Sequence, residues 1–322
     1  MWVRVCLTLN WNTLLVMPLQ PKIRGLWPAL LTPVDAHGAL DSKRLAAHAH
    51  RMLDAGGDGV TLFGTTGEGP AFTVAERQSE LEKLLATGIR ADQIICTITA
   101  TALGDAIALG RHAIQLGVER QMLMPPFYYN QPRDAGVVAA YTQVIRGIDS
   151  DALRLLLYHF PSMSTYGFSH AAIAELVRRY PQQVVGIKDS SGDLAHSLAL
   201  AQAFPEFAVL VGAEPHVAPV MLAGGSGSVN GLANIAPRLM RRVIDAPGKV
   251  DPLDVQCMTS LLALMAVRPN LPFLGVYKTM LAEQTGDDFW LTMRAPLWRL
   301  NEDEEQAIRQ GYRSLGDLLQ LI

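Results

Sequence analysis

Val184-Val185-Gly186-Ile187-Lys188-Asp189 is an apolar run that stops on an ammonium and a carboxylate. Its residues are apolar in succession rather than in alternation, which reads as a strand buried on both faces, the pattern of a parallel sheet covered by helices. A helical stretch opening near Ser169 precedes it and another opening near Asp193 follows it. The unit recurs in both directions. Strands are expected at Leu26–Leu31, Asp58–Phe63, Gln93–Thr99, Arg120–Met124, Leu153–Tyr158, Val184–Lys188, Phe207–Val211 and Gly227–Val229. Helical periods lie between them, one behind the N-cap candidate Asp41 and one opening on the capping box Thr73-Val74-Ala75-Glu76. Others open near Gly104, Arg133 and Pro215. Eight strand-helix units predict an α/β fold, a (β/α)8 TIM barrel over residues 23–236, with an open doubly wound sheet as the alternative.

After Pro237 the strand pattern ceases, and Asp251–Val267, Pro272–Thr285 and Asn301–Leu321 read as helices, the last opening on the acidic run Glu302–Glu305. Residues 237–322 are therefore expected to form a C-terminal helical extension. Residues 1–22 stand apart as an N-terminal extension that mixes Trp2, Asn10 and Trp11 with apolar residues and lacks a small-residue cleavage site. Met17 is the expected start of translation.

The 322 residues are 49% hydrophobic and 18% charged, the composition of a packed globular chain, and 27 basic against 30 acidic residues give a net charge of −3. That balance supplies no footprint for nucleic acid. Three cysteines, Cys6, Cys96 and Cys257, form no CxxC pair and no disulfide framework, which fits a cytoplasmic location. Leu261–Val267 falls well short of the ~18 apolar residues a membrane span needs.

A barrel of this kind carries its chemistry at the carboxyl ends of its strands. Lys188 ends one of them, and burial of an amine there favours the neutral, nucleophilic form that attacks a carbonyl. A structural ion pair with Asp189 is the alternative. Phe63-Gly64-Thr65-Thr66-Gly67-Glu68-Gly69 places two hydroxyls and free backbone N–H groups on a glycine-rich turn suited to a small carboxylate, or else simply a tight connection. With no GK[ST] it is not a triphosphate loop. Tyr158 leaves the floor at Leu156-Leu157-Tyr158-His159-Phe160-Pro161, as a proton shuttle or as a satisfied core tyrosine. The aromatic loop Pro125-Pro126-Phe127-Tyr128-Tyr129-Asn130 reads as a packing plug or a subunit contact. Eight histidines, among them His48, His50, His159 and His196, form no ligand motif, and no metal site is expected.

These four segments, in order and spacing from about Gly25 to Asn234, resemble the dihydrodipicolinate synthase and N-acetylneuraminate lyase family of pyruvate-dependent, Schiff-base-forming lyases and aldolases. The resemblance implies that Lys188 forms an imine with a 2-oxo acid, with no other cofactor. It also implies that Tyr158 is the acid/base and that Thr66, with Gly64 and Gly67 in the turn, holds the carboxylate. Thr65 and either Tyr128 or Tyr129 would complete a proton relay, the tyrosine reaching across an interface of a homotetramer. Phe127 makes that loop one residue longer than in the synthases, so the choice between the two stays open. Ser190 and Asn230 are further substrate-binding candidates, and the short hydroxyls of Asp189-Ser190-Ser191-Gly192 suit a polyol.

Three departures bear on the substrate. Pro161 is followed by Ser162, Met163 and Ser164, where the synthases carry an arginine for the semialdehyde's carboxylate. His159 replaces the usual asparagine, and Thr99-Ala100-Thr101 stands where a glycine-rich turn is usual. The expected reaction is aldol chemistry on pyruvate or a longer 2-oxo acid with an aldehyde, such as a 2-keto-3-deoxy sugar acid or a 4-hydroxy-2-oxo acid; a hydro-lyase is a near variant. The alternatives are 4-hydroxy-tetrahydrodipicolinate synthase and a non-catalytic 2-oxo acid-binding homologue.

Overall fold

The computed structural model describes residues 22–129, 131–267 and 273–322. Met17, Cys6, Asn130 and the expected helix start at Pro272 lie outside the described residues. Along the chain run β1 (Gly25–Leu26), α1 (Ser42–Asp54), β2 (Val60–Leu62), α2 (Val74–Ala86), β3 (Ile94–Thr97), α3 (Leu103–Gln115), β4 (Arg120–Leu123) and α4 (Asp134–Ile148). They are followed by β5 (Arg154–His159), the short α5 (Pro161–Ser164), α6 (His170–Arg179), β6 (Val184–Asp189), α7 (Leu194–Ala203), β7 (Ala208–Val211), α8 (Val217–Leu222), β8 (Gly227–Ser228) and α9 (Pro237–Asp245). The remaining helices are α10 (Pro252–Ala263), α11 (Phe273–Thr285) and α12 (Glu302–Arg313).

The strands pair in parallel in the order β1-β8-β7-β6-β5-β4-β3-β2. A parallel bridge between Ala29 and Thr61 brings the two ends of that order together and closes the barrel. The open-sheet alternative is thereby set aside. Side chains divide as two-sided burial requires. Ile95, Met122, Leu156, Tyr158, Ala208 and Leu210 pack together inside the ring. Ile94, Cys96, Leu155, Leu157, Ile187 and Val209 pack outward under the helices. Each large aliphatic side chain so buried contributes about 1.5–3 kcal/mol.

Local chemistry sets the element ends. Asp41 accepts from the Arg44 N–H at the start of α1, Thr73 and Glu76 close the capping box of α2, and Asn301 with Glu304 does the same for α12. The strand expected at Leu26–Leu31 is shorter, because Pro28 has no N–H to give the ladder and only Ala29 bridges beyond it. The helix expected over Asn301–Leu321 stops at Arg313, and a 3-10 segment, Gly316–Leu321, opens on Gly316 at φ +53°. The expected Asp251–Val267 helix likewise tightens to 3-10 geometry from Leu264. The helix that follows β8 begins at Pro237, where the C-terminal extension was expected to start, and it packs on β1 and α8. No helix among the described residues is long and apolar enough to cross a membrane.

Candidate active site

Lys188 and Tyr158 are register partners on β6 and β5, so their side chains leave the sheet on the same face, into the barrel mouth. Gly186, two residues below Lys188, is required by packing. A Cβ there would lie 2.5 Å from the Ala208 carbonyl oxygen and 2.6 Å from Leu156 Cδ2. Lys188 Nζ donates to Tyr158 Oη at 3.3 Å and lies 4.4 Å from the centre of the tyrosine ring. Tyr158 Oη is in turn 3.0 Å from Thr65 Oγ1. An amine, a phenol and an alcohol thus form one hydrogen-bonded chain, with Lys188 only 4% and Tyr158 only 1% exposed.

Thr65 and Thr66 belong to the turn after β2, which lies across the ring from β6. The turn is tight. Phe63 and Glu68 take φ values of +55° and +56°, and a Cβ on Gly69 would sit 1.8 Å from the Phe63 carbonyl oxygen. Inside it, Gly67 and Gly69 N–H groups donate to Gly64 O and Glu68 N–H to Thr65 O, while the N–H groups of Thr65 and Thr66 donate to no protein group among the described residues. Two free donors beside the Thr66 hydroxyl suit a carboxylate. Buried behind the turn, Glu68 takes Lys278 Nζ on one oxygen and the Arg294 N–H, at 2.7 Å, on the other.

The mouth encloses a cavity of about 180 Å³. Thr65, Thr66, Tyr158, Lys188, Ser190 and Asn230 all line it, so the structure brings six of the sequence candidates together. Gly64 and Gly67 shape the turn without lining the cavity. Tyr128 and Tyr129, 72% and 80% exposed, stack edge-on with ring centres 5.3 Å apart and do not reach the cavity of their own chain.

Asp189 does not cap Lys188. Its Oδ2 accepts from His196 Nδ1 at 2.9 Å and Ser197 Oγ at 2.7 Å, and its Oδ1 from the Ser191 N–H at 2.9 Å. Burial pushes this carboxyl up, but the bonds from His196, Ser197 and Ser191 outweigh burial and hold it at about 2. His159, at the end of β5, stacks on His196 with ring centres 4.3 Å apart and planes 21° apart, so these two and Asp189 cluster behind the strand ends. Near-parallel rings direct their in-plane lone pairs side by side, and Asp189 is already occupied by three donors, which fits a hydrogen-bonded support better than an ion site.

Residues 22–313 match the dihydrodipicolinate synthetase family. The chain belongs to that family. A DapA-like lyase of Chloroflexus aurantiacus, itself uncharacterised, is 34% identical over 296 residues, 91% of this chain and 97% of that protein. The crystal structure of dihydrodipicolinate synthase from Agrobacterium tumefaciens strain C58 superposes with a TM-score of 0.83 at 32% identity, covering 91% of this chain and 99% of that one. YagE, a prophage protein of the same family from E. coli K12 solved in complex with pyruvate, shares the fold at a TM-score of 0.82 and 24% identity, over 91% and 98% of the two chains. The enzyme is a lyase of aldolase type on the barrel expected from its sequence.

Sequence reasoning missed part of the enzyme's cavity. Glu214, in the 3-10 turn after β7, lines it and is buried, and burial pushes its carboxyl up. Its Oε1 accepts from the Leu232 N–H at 3.1 Å and from Tyr277 Oη at 3.3 Å. The charge after the apolar run Phe207–Val211 was a usable signal, since it marks a strand end like that of Lys188. Tyr277 and Phe273 reach the cavity from α11 and carry no such mark, because an aromatic in an apolar helix reads as core.

Proposed function

We propose that the protein is a class I lyase acting on pyruvate or a longer 2-oxo acid, with Lys188 as the imine-forming amine and no other cofactor. The observation that carries this reading is the chain Lys188 Nζ, Tyr158 Oη, Thr65 Oγ1 at 3.3 and 3.0 Å beside a turn with unclaimed N–H donors. Nζ adds to the keto carbon, and the C–O bond of the resulting carbinolamine breaks once Tyr158 delivers a proton to its hydroxyl, which leaves as water and gives a protonated imine. That cation accepts the electron pair released when the bond between C3 and C4 breaks, and the C4 hydroxyl gives its proton to Tyr158 as the aldehyde forms. Condensation is the reverse. Thr65 passes protons to and from Tyr158, while Thr66 with the turn amides holds the carboxylate.

Ser190, Ser191, Asn230 and Tyr277 offer hydroxyl and amide groups along the rest of the cavity, which supports a hydroxylated aldehyde half, as in a 2-keto-3-deoxy or 4-hydroxy-2-oxo acid. The likeness to the Agrobacterium synthase favours a second reading, 4-hydroxy-tetrahydrodipicolinate synthase. Against it, α5 presents Ser162, Met163 and Ser164 where an arginine would take the second carboxylate, and no arginine lines the cavity among the described residues. A cytoplasmic homotetramer, with Tyr128 or Tyr129 entering a neighbour's site, completes the reading and accords with the exposure of both rings.

The test is borohydride reduction in the presence of pyruvate, followed by peptide mass spectrometry of the wild type and Lys188→Ala. The expected result is a reduced pyruvate adduct on the Lys188 peptide, absent in the variant. No adduct with any 2-oxo acid would overturn the imine reading. Turnover of pyruvate with aspartate semialdehyde in preference to hydroxyaldehydes would select the synthase.

A further inference from the structure

The cluster behind Lys188 has no part in the steps above, yet it is tied to the cavity wall. Lys188 points into the barrel mouth, whereas Asp189, the next residue, turns to α7 and is bonded to His196 and Ser197. The Ser191 N–H hangs from Asp189 Oδ1, the Ser190 N–H donates to the His159 carbonyl at 2.8 Å, and the Gly212 N–H donates to the Asp189 carbonyl at 2.7 Å. Ser190, Ser191, Gly192 and Gly212 all line the cavity. The wall across from the Thr65-Thr66 turn is therefore held by two backbone bonds and, at Ser191, by one carboxylate that is closed to water, while the partner of that carboxylate, His196, keeps 20% of its side chain exposed.

His196 is itself located by stacking. His159 Nδ1 accepts the Phe168 N–H at 3.0 Å, which fixes that ring, and a Cβ on Gly167 would fall 2.1 Å from its Cε1, so the chain is closed around it. His196 lies on the ring so fixed and delivers its Nδ1 proton to Asp189. A surface ion pair would be dispensable. Here removing the donor leaves a buried carboxylate short of a bond, and the group that can shift to regain one is the Ser190–Gly192 turn.

Building on the lyase reading, we propose that His196 is a positioning residue. Through Asp189 it sets the Ser190-Ser191-Gly192 wall against which the aldehyde half of the substrate lies, and it touches no substrate itself. His159 is the stacking platform that orients it. The carboxylate turn and the Lys188–Tyr158 pair do not depend on this bond, so imine and enamine formation with pyruvate alone should survive its loss, whereas use of the aldehyde should not.

Three variants separate geometry from bulk: His196→Ala, His196→Asn, whose amide N–H falls near the place of Nδ1–H, and His196→Gln, whose amide reaches toward Nε2. Each is assayed for exchange of pyruvate C3 protons with deuterium, for condensation of pyruvate with glyceraldehyde, and for exchange of the Ser191 amide. In His196→Ala, pyruvate exchange should stay within about twofold while KM for glyceraldehyde rises roughly tenfold, the loss of one charge-assisted hydrogen bond, and Ser191 exchanges faster. Asn should restore both readouts and Gln neither. Equal losses in the pyruvate and glyceraldehyde assays, or Asn behaving as Ala, would overturn the proposal. Absence of pyruvate exchange in the wild type would instead overturn the lyase reading. The Ser191 amide would then still decide the structural link, supporting it if exchange rises in His196→Ala and falls back in His196→Asn, and refuting it if exchange is unchanged.

Discussion

Replacing Lys278 by methionine removes one charge from a pair in which both side chains are fully closed to water. Lys278 Nζ donates to Glu68, to the Thr32 carbonyl at 2.8 Å and to the Thr292 carbonyl at 2.7 Å, so the substitution strips three acceptors at once while keeping the volume of the stem. Burial alone would push this ammonium's pKa down, and Glu68 opposes that shift, so each charge depends on the other. Breaking such a pair from one side costs about 3–5 kcal/mol, because the remaining charge stays buried without a partner. Glu68 keeps the Arg294 N–H, which places the expected loss near the lower bound, at roughly 3 kcal/mol. At about 2–4 °C per kcal/mol for a domain of this order of size, the melting temperature should fall by roughly 6–12 °C. Urea unfolding at fixed protein concentration measures the loss, and a double variant, Lys278→Met with Glu68→Gln, should recover part of it, since no unpaired charge then remains. A loss below about 1 kcal/mol, or a double variant less stable than the single, would refute this account of the pair. Glu68 also carries the turn of Thr65 and Thr66, so the same variant should bind pyruvate more weakly.

Acid should destabilise the fold through two imidazoles. Burial holds His48 at about 3, helped by the Arg51 charge, and burial holds His159 at about 4 with a contribution from His196, both below the usual 6.5. The unfolded chain takes up these protons first, so stability is full above pH 6.5 and falls as the pH drops toward 4, by up to roughly 1.4 kcal/mol per unit for each histidine. His196, raised by Asp189, works in the opposite sense and returns part of that loss. A urea midpoint that stays flat from pH 6.5 to 4.5 would contradict this, and His48→Gln should reduce the slope. Gly186→Ala drives a Cβ against the Ala208 backbone, and should cost about 1–3 kcal/mol while displacing Lys188 enough to slow pyruvate trapping; a variant with wild-type stability would show that the strands yield. Tyr158→Phe removes the group between Lys188 and Thr65 and should lower kcat/KM by roughly 10²–10⁴ while leaving the fold intact, and a loss under tenfold would assign the proton transfers elsewhere.

The barrel was legible because each unit repeats the same two signals, an apolar run and a helical period, and an error in one unit is corrected by its neighbours. The misplaced ends have local causes: Pro28 just beyond β1 and Gly316 after α12. The main residues of the cavity were legible for a related reason. Lys188, Tyr158 and the Gly64–Gly69 turn each break a pattern at a strand end, where an apolar run gives way to a polar group. The supports were not. His196 reads as an ordinary residue of a helix whose N-cap, Asp193, is clear, and only the fold shows that it reaches the side chain one residue beyond Lys188.

Tyr277 and Lys278 sharpen that distinction. They are adjacent in α11, in a stretch whose apolar content suggests a packing helix, yet Tyr277 bonds Glu214 at the end of β7 and Lys278 bonds Glu68 behind the turn after β2. One helix of the C-terminal extension thus supplies a partner to a buried carboxyl on each side of the cavity. Composition and periodicity separate tail from barrel at residue 237, because strands stop there. Buried polar groups follow a different rule: each needs a partner wherever the chain can bring one. Glu68 finds its side-chain partner, and Glu214 one of its two partners, beyond residue 270, so in this enzyme the geometry of the turn after β2 and of the cavity wall after β7 is tied to the packing of the helices that follow the barrel.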